Sequence, residues 1–167
     1  GGTLSVSGGN WTHAGPTTLT SGAMTLTGGT WLNTATILGS AGTLTLSGTN
    51  YTNQGTIDHA ATVTLNATTW RNEGTIAVDN GPVSLSGTWS NPAALGTITL
   101  SGANLTLGGT FTRGDLDTMD KTGGTTTLTS ALDNTGRTLD LDEVFDSSLS
   151  VSGGQIIGGT LTTASNR

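Results

Sequence analysis

The sequence predicts an all-β fold, a right-handed parallel β-helix in which a short repeat coils into stacked rungs. The first observation is a repeat of 19–23 residues that recurs eight times along the 167-residue chain. The second is the alternation of apolar residues with Thr or Ser inside each repeat, which is typical of strands with one buried face. The third is a content of 27 Gly residues, which suits tight turns between short strands.

Each repeat contains a pair of apolar residues two positions apart, which we assign to the first strand. The first member of the pair is, for example, Leu4 in the first repeat and Leu44 in the third. It is apolar in every repeat except the seventh, where it is Thr126. A unit of about 20 residues is too short to bury its own apolar face, so we expect stacked units to share one core. The second members of the pairs are Val6, Leu26, Leu46, Leu65, Leu85, Leu107, Leu128 and Val151.

An aromatic residue marks the second predicted strand. The residue after it is polar in five of six repeats, so strand alternation places the ring in the core and the polar residue outside. An outward aromatic stripe that stacks on sugar rings is the alternative. The column comprises Trp11, Trp31, Tyr51, Trp70, Trp89 and Phe111, and Leu132 and Ile156 continue it.

An asparagine follows two residues after the aromatic in most repeats. We expect this asparagine column to lie at a turn and to pass amide hydrogen bonds from rung to rung, because buried polar groups need partners. It consists of Asn33, Asn53, Asn72 and Asn91, with His13, Arg113 and Asn134 at the equivalent position of other repeats. A third apolar position, such as Ile57 or Ile76, completes three short strands per rung.

One hydroxyl side chain stands between the two paired apolar residues of every repeat. Alternation places this hydroxyl column on an outward, neutral face. The plain interpretation is a β-favouring surface compatible with water, and the functional alternative is a face that binds ice or a glycan. The column consists of Ser5, Thr25, Thr45, Thr64, Ser84, Thr106, Thr127 and Ser150.

The repeat becomes irregular after residue 112. We predict one solenoid domain over residues 1–167, with regular rungs over 1–112 and irregular rungs over 113–167. Both ends of the chain fall inside the repeat pattern, which indicates a segment of a longer repeat protein.

Acidic residues cluster in the irregular part. Stacked carboxylates are potential oxygen ligands for Ca²⁺, and the weak candidates are Asp115, Asp117, Asp120, Asp140 and Asp142. A simpler interpretation of residues 139–142 is a strand whose acids face water. Residues 113–115 also spell Arg-Gly-Asp, a tripeptide that integrins recognise when a loop presents it.

Composition argues against several functional classes. The net charge of −6, with only five Lys and Arg residues, does not suit binding to nucleic-acid phosphates. The chain has no Cys for a disulfide or a thiolate metal site, and no run of 18 apolar residues predicts a membrane span. His13 and His59 lie far apart in repeat register, and no nucleophile–base set is recognisable. We therefore predict no catalytic residue, no enzyme activity and no required cofactor.

The repeat unit resembles those of secreted bacterial β-helix adhesins. The resemblance rests on GTLTLSG at residues 42–48, followed by Trp-x-Asn and Gly-Thr-Ile motifs, and it is strongest over residues 22–100. These motifs are similar to the repeats of filamentous-haemagglutinin-type and autotransporter passenger proteins. The resemblance implies a right-handed β-helix displayed outside a bacterial cell as a stalk, a fibre or an adhesive surface. It also implies host or matrix glycans or proteins as partners. The uncapped end rungs predict a second kind of partner, namely neighbouring repeats or like subunits stacked end to end.

Three functions are compatible with these features of the sequence. The sequence favours a non-enzymatic extracellular solenoid with a structural or adhesive role. The first alternative is an ice- or glycan-binding protein that uses the hydroxyl column. The less favoured alternative is a polysaccharide-active enzyme, which would need acidic and basic groups along an exposed groove.

Overall fold

The chain folds as a parallel β-solenoid, and the computed structural model describes its residues 2–146 and 148–163. The solenoid has about eight turns with about three strands in each rung, and helix makes up about 6% of the residues. The predicted all-β solenoid is thereby confirmed. Among the described residues, no helix has the length and apolar character needed to cross a membrane.

The first sheet collects the apolar pairs. Every strand in it runs parallel to its neighbours, and residues of the same repeat position lie side by side, as with Leu44 between Met24 and Val63. In stacking order its strands are β1 (Thr3–Val6), β4 (Ala23–Leu26), β7 (Thr43–Leu46), β10 (Thr62–Leu65), β13 (Pro82–Leu85), β16 (Asn104–Leu107), β19 (Thr126–Leu128) and β22 (Leu149–Val151).

The second sheet carries the aromatic column and the asparagine column. It comprises β2 (Asn10–His13), β5 (Thr30–Asn33), β8 (Asn50–Asn53), β11 (Thr69–Asn72) and β14 (Thr88–Ser90). A single bridge between Thr88 and Thr110 joins it to the next rung. The stack then continues as β17 (Phe111–Thr112), β20 (Ala131–Asp133) and β23 (Gln155–Ile157).

The third sheet closes each rung. It comprises β3 (Thr17–Leu19), β6 (Thr36–Gly39), β9 (Thr56–His59), β12 (Thr75–Asp79), β15 (Thr97–Ser101) and β18 (Met119–Thr122), and β21 (Thr138–Asp140) pairs with β24 (Thr160–Thr162) further on. The column of Ile37 and Ile57 continues through this sheet, with Thr17 as its member in the first rung. Leu19, two residues later, aligns with Gly39.

The aromatic rings lie inside the solenoid. Trp31 stacks on Tyr51 with ring centroids 4.0 Å apart, and Trp89 stacks on Phe111 at 4.5 Å. The indole N–H of Trp31 donates to the backbone carbonyl of Ser47 at 2.8 Å, which supplies the partner that a buried Trp needs. The alternative of an outward stripe for sugar stacking is therefore wrong for these rings.

Most of the predicted core residues are buried. The exception is Leu4, whose side chain is 46% exposed because no described rung packs over β1. Val6 and Trp11, in the same rung, are only partly buried. The buried members of the predicted core are Leu26, Leu44, Leu46, Leu65, Leu85, Leu107, Trp31, Tyr51, Trp70, Trp89 and Phe111.

The irregular rungs contain the two short helical segments among the described residues. Residues Arg113–Leu116 form a 3-10 helix, and Leu141–Phe145 form α1. The prediction of a strand over 139–142 is wrong beyond Asp140, because the Asp140 carboxylate accepts the backbone N–H groups of Asp142 and Glu143 and starts the helix. Val144 and Phe145 are buried, so α1 contributes to the core.

Candidate functional site

The hydroxyl column forms a continuous row on the outer face of the first sheet. Each member is the direct cross-strand partner of the next, from Ser5 in β1 to Ser150 in β22. Strand spacing sets neighbouring positions about 4.8 Å apart. The inner members are half-buried by their neighbours, and only the terminal Ser5 and Ser150 are exposed. The row is an uncharged surface of regularly spaced donors and acceptors.

A second hydroxyl column flanks the first for only a short distance. Thr43 and Thr62 are paired in register two residues before Thr45 and Thr64. Ala23 precedes them in the same column, and Pro82 and Asn104 follow. In adjacent rungs the array is therefore two hydroxyls wide on β7 and β10, and Thr3 on β1 is separated from this pair by Ala23. The single hydroxyl column, by contrast, runs the full length of the sheet.

The asparagine column lies inside the solenoid and is fully buried. Asn33 Nδ2 donates to Asn53 Oδ1 at 2.8 Å, and the same bond joins Asn53 to Asn72 and Asn72 to Asn91. The expected amide bonds from rung to rung are therefore present. Their role is structural, because they satisfy polar groups that have no access to water.

The far end of the asparagine column meets Asp115 rather than Arg113. Asp115 Oδ1 accepts the backbone N–H of Asn91 at 3.0 Å, and the Asn91 amide donates to the backbone carbonyl of Asp115 at 3.2 Å. Asp115 Oδ2 also accepts the backbone N–H and the hydroxyl of Thr112. This carboxylate therefore ends the hydrogen bonds of the asparagine column, at the point where the backbone enters the 3-10 helix.

The remaining calcium candidates have separate structural positions. Asp117 pairs with Arg113 at 2.6 Å and with Arg137 at 2.7 Å, and Asp120 is exposed on β18. Asp140 caps α1, whose first turn contains Asp142. Within residues 2–146 and 148–163, no three His, Cys, Asp or Glu side chains are grouped so that they could hold a metal ion. The calcium hypothesis gains no support from this arrangement.

The Arg-Gly-Asp tripeptide is folded inward. Arg113 and Asp115 are each only 9% exposed. The guanidinium of Arg113 binds Asp117, and Asp115 binds Thr112 and Asn91. The two charged groups are therefore bound within the fold and are not presented on a loop, as integrin recognition would require.

Two buried charged or titratable residues in the third sheet were not identified from the sequence. Lys121 is 5% exposed, and its Nζ donates to the carbonyls of Gly123 and Gly124 and to the hydroxyl of Ser148. Burial lowers the pKa of Lys121, while the carboxylate of Asp146 opposes this change. Strand alternation with the apolar Met119 was the available signal that Lys121 points inward.

His59 is the second of these residues and is 1% exposed. Its Nε2 lies 3.4 Å from the Gly42 carbonyl oxygen, and Nδ1 has no hydrogen-bond partner among the described residues. Burial lowers the pKa of this imidazole. The ring fills the space beside Gly39, where an added Cβ would collide with it, so glycine and histidine in adjacent rungs share one core volume.

A shallow cavity of about 320 Å³ lies on strands β2 and β5. Its lining includes hydroxyl and amide side chains, one leucine and no charged residue. The lining residues are Asn10, Trp11, Thr12, Thr30, Trp31 and Leu32.

No protein-family model matches the chain, and neither a curated protein nor a solved structure matches it.

Proposed function

We propose that the chain is a non-enzymatic structural solenoid that works outside the cell as a stalk or fibre segment and offers its faces for adhesion. The observation that supports this role is the continuity of its internal columns. Stacked rings, amide bonds and aliphatic side chains each connect one rung to the next. At about 4.8 Å per rung, the eight rungs give a rod of roughly 35–40 Å.

The outer faces supply the adhesive part of the proposal. The hydroxyl column is a long neutral surface, and the cavity on β2 and β5 adds amide and hydroxyl groups. Such groups hydrogen-bond to sugar hydroxyls and to peptide backbones. Host or matrix glycans and proteins are therefore the proposed ligands.

The two terminal rungs supply the proposed stacking contacts. Leu4 in the first rung is 46% exposed, and Val151 and Leu161 in the last are 51% and 50% exposed. Their strands also have one unpaired edge among the described residues, and an unpaired edge accepts a further strand. Rungs of like sequence, in the same chain or in another copy, would cover these apolar ends.

Sedimentation analysis over a range of protein concentrations tests the stacking of copies. We expect concentration-dependent association that is abolished by Val151→Lys combined with Leu161→Lys. Leu38→Lys is the matched control, because Leu38 is 44% exposed but lies on the side of the stack. A wild-type protein that stays monomeric at all concentrations would contradict end-to-end stacking of copies.

Binding to immobilised host and matrix glycans and proteins tests adhesion. The test variant combines Thr25→Lys, Thr64→Lys and Thr106→Lys on the hydroxyl column. The control variant combines Thr36→Lys, Thr99→Lys and Ser101→Lys, which are exposed on the outer face of the third sheet, away from both the hydroxyl column and the cavity. We expect only the test variant to lose binding. Release of sugar from a polysaccharide panel, lost on Asp142→Ala, would instead support an enzyme.

The double-width hydroxyl patch favours a second candidate, an ice-binding face. Thr43 and Thr45 lie beside Thr62 and Thr64 in register, so methyl and hydroxyl groups repeat in two directions there. Thermal hysteresis that is lost on replacing Thr25, Thr45 and Thr64 would support this candidate. An absence of hysteresis in the wild-type protein would exclude it.

A further inference from the structure

Three side chains of the first two rungs meet in one hydrogen-bonded chain. Thr17 Oγ1 lies 2.8 Å from His13 Nε2, and His13 Nδ1 lies 2.7 Å from Asn33 Oδ1. A hydroxyl, an imidazole and an amide at these distances match the arrangement in which a base activates a nucleophile and a third group orients the base. The sequence alone did not predict this set, because 20 residues separate His13 from Asn33 and only rung stacking brings them together.

The hydrogen-bond network determines which ring nitrogen of neutral His13 carries the proton. The backbone N–H of Ala35 donates to Asn33 Oδ1 at 3.3 Å, and Asn33 Nδ2 donates to Asn53 at 2.8 Å. The atom of Asn33 that faces His13 is therefore an acceptor, so His13 Nδ1 must be the donor. Nε2 of the neutral ring then has a free lone pair, which accepts the hydrogen bond of the Thr17 hydroxyl.

Both His13 and Thr17 depart from the composition of their columns. The rungs that follow have Asn33 and Asn53 at the position of His13, and Ile37 and Ile57 at the position of Thr17. A hydroxyl thus replaces an aliphatic core residue in the same rung in which an imidazole replaces an amide. The paired replacement is what creates the contact between them.

The pair is accessible from outside. His13 and Thr17 are half-buried, and the connecting residues 14–16 are exposed. A Cβ added at Gly15 would meet no heavy atom within 4 Å. When no other rung covers the first one, a small reactant can therefore approach the loop between the two side chains, while the buried Asn33 holds the imidazole from the core side. The equivalent Gly55 and Gly74 meet the backbone of the preceding rung, so a rung stacked on this end would close the approach.

We propose that Thr17 is a covalent acyl-acceptor site for activated carboxylic esters, with His13 as its general base and Asn33 as the residue that positions the imidazole. Thr17 Oγ1 attacks the ester carbonyl while its proton passes to His13 Nε2. The bond between the acyl carbon and the leaving oxygen breaks, and His13 returns the proton to the leaving alkoxide or phenolate. The products are an acyl ester on Thr17 and one free alcohol or phenol, with no oxidation or reduction.

The acyl donor must carry a good leaving group. Thr17 offers a secondary alcohol, and general-base assistance of this kind contributes roughly a hundredfold or more to such a step. Aryl esters of short carboxylic acids are therefore the class that fits the half-buried site. The modification needs a first rung that no other rung covers, so the end-to-end stacking proposed above would block it. It does not depend on the hydroxyl column or on the proposed adhesive role.

The test is incubation of the whole chain with p-nitrophenyl acetate, followed by p-nitrophenolate absorbance, intact mass and peptide mapping. We expect one acetyl group per chain, on Thr17, and a rate of transfer to Thr17 that falls at least tenfold in His13→Asn. His13→Asn restores the residue type found in the next rungs, so folding should be preserved. Thr17→Val has nearly the same shape and should abolish the adduct.

Two further variants separate this proposal from general surface reactivity. Thr18→Val changes an adjacent exposed hydroxyl and should leave the rate unchanged, whereas Thr17→Ser should still be acylated. If Thr17→Val releases p-nitrophenolate as fast as the wild-type protein, His13 or another group reacts directly and the proposal is wrong. Acetylation found only on lysine or on the terminal amine would also overturn it.

Discussion

The asparagine column illustrates how a polar residue is accommodated in this core. Asn53 has no exposed surface, yet it accepts a bond from Asn33 and donates to Asn72 Oδ1 and to the Thr75 carbonyl. The two side-chain bonds each need an asparagine at the same position one rung away. The cost of burying the amide is therefore offset because asparagine recurs in successive rungs.

Replacement of Asn53 by Leu should be strongly destabilising. It leaves Asn33 Nδ2 without its acceptor and Asn72 Oδ1 with only the Gly74 backbone N–H as a donor, in a region closed to water. We expect a cost of about 3 kcal/mol in the free energy of unfolding. Urea unfolding followed by circular dichroism measures this change in the free energy of unfolding. Asn50→Ala, at an exposed position of the same strand, should change stability by less than about 0.5 kcal/mol. Equal losses of stability in the two variants would show that the amide hydrogen bonds of the asparagine column are unimportant.

His59 should make stability depend on pH. Burial lowers the pKa of this imidazole, although the Gly42 carbonyl and the Asp58 carboxylate oppose the change. The unfolded chain then binds the proton more tightly than the folded chain. The stabilising contribution is complete above about pH 6.5, the ordinary pKa of histidine, and is lost as the pH falls toward the lowered value.

The measurement is urea unfolding at several pH values between about 5.5 and 8. We expect His59→Leu to remove this part of the pH dependence, because Leu matches Val78 and Leu100 in the same column. His13→Asn is the control and should retain it. A His59→Leu protein with the wild-type pH profile would show that another group is responsible.

At the scale of elements, regular strands give way to a capped helix in the seventh rung. β21 ends at Asp140, and α1 begins because one carboxylate oxygen accepts two backbone N–H groups. Val144 and Phe145 then bury their side chains where a strand would have continued. Local capping and burial together therefore override the alternation of Leu and Asp in the sequence.

Removal of the cap should weaken this element. Asp140→Ala should lower the free energy of unfolding by about 1 kcal/mol and increase hydrogen exchange of the α1 amides. Asp140→Asn should have little effect, because an asparagine oxygen caps a helix nearly as well. If Asn proves as damaging as Ala, the negative charge near the helix start matters more than the cap.

At the scale of the whole molecule, the position of a residue in the stack decides its contribution. Trp70 is 1% exposed, with Tyr51 and Trp89 as its neighbours in register. Trp11 is only partly buried and has Trp31 on one side. Interactions between adjacent rungs add along a solenoid. The same residue type therefore contributes more to the free energy of unfolding in the interior, where it has two neighbouring rungs, than at an end.

This difference can be measured with two tryptophan variants. Trp70→Ala should cost about 3–5 kcal/mol, the range for a large buried aromatic, and Trp11→Ala should cost less than half as much. Guanidinium unfolding followed by circular dichroism gives both values. Similar losses for the two variants would mean that the first rung is covered as fully as the interior.

Much of the fold follows from local features of the chain. Apolar alternation, Gly turns and a spacing of 19–23 residues specify short strands and a rung length, and identical positions must then stack. For this reason the sequence could predict three features, namely the inward rings, the outward hydroxyl column and the hydrogen-bonded asparagine column. Strand pleat and the need to share a core are sufficient to place them.

Contacts between unlike residues of different turns could not be predicted in this way. The contacts of Asp115 with Asn91 and of Lys121 with Ser148 depend on turns of unequal length. The exposure of Leu4 depends on whether another rung packs over β1. The meeting of His13, Thr17 and Asn33 likewise requires two adjacent rungs. A repeat pattern specifies which positions stack, but the geometry of the folded chain specifies which irregular side chains meet, because their spacing follows no period.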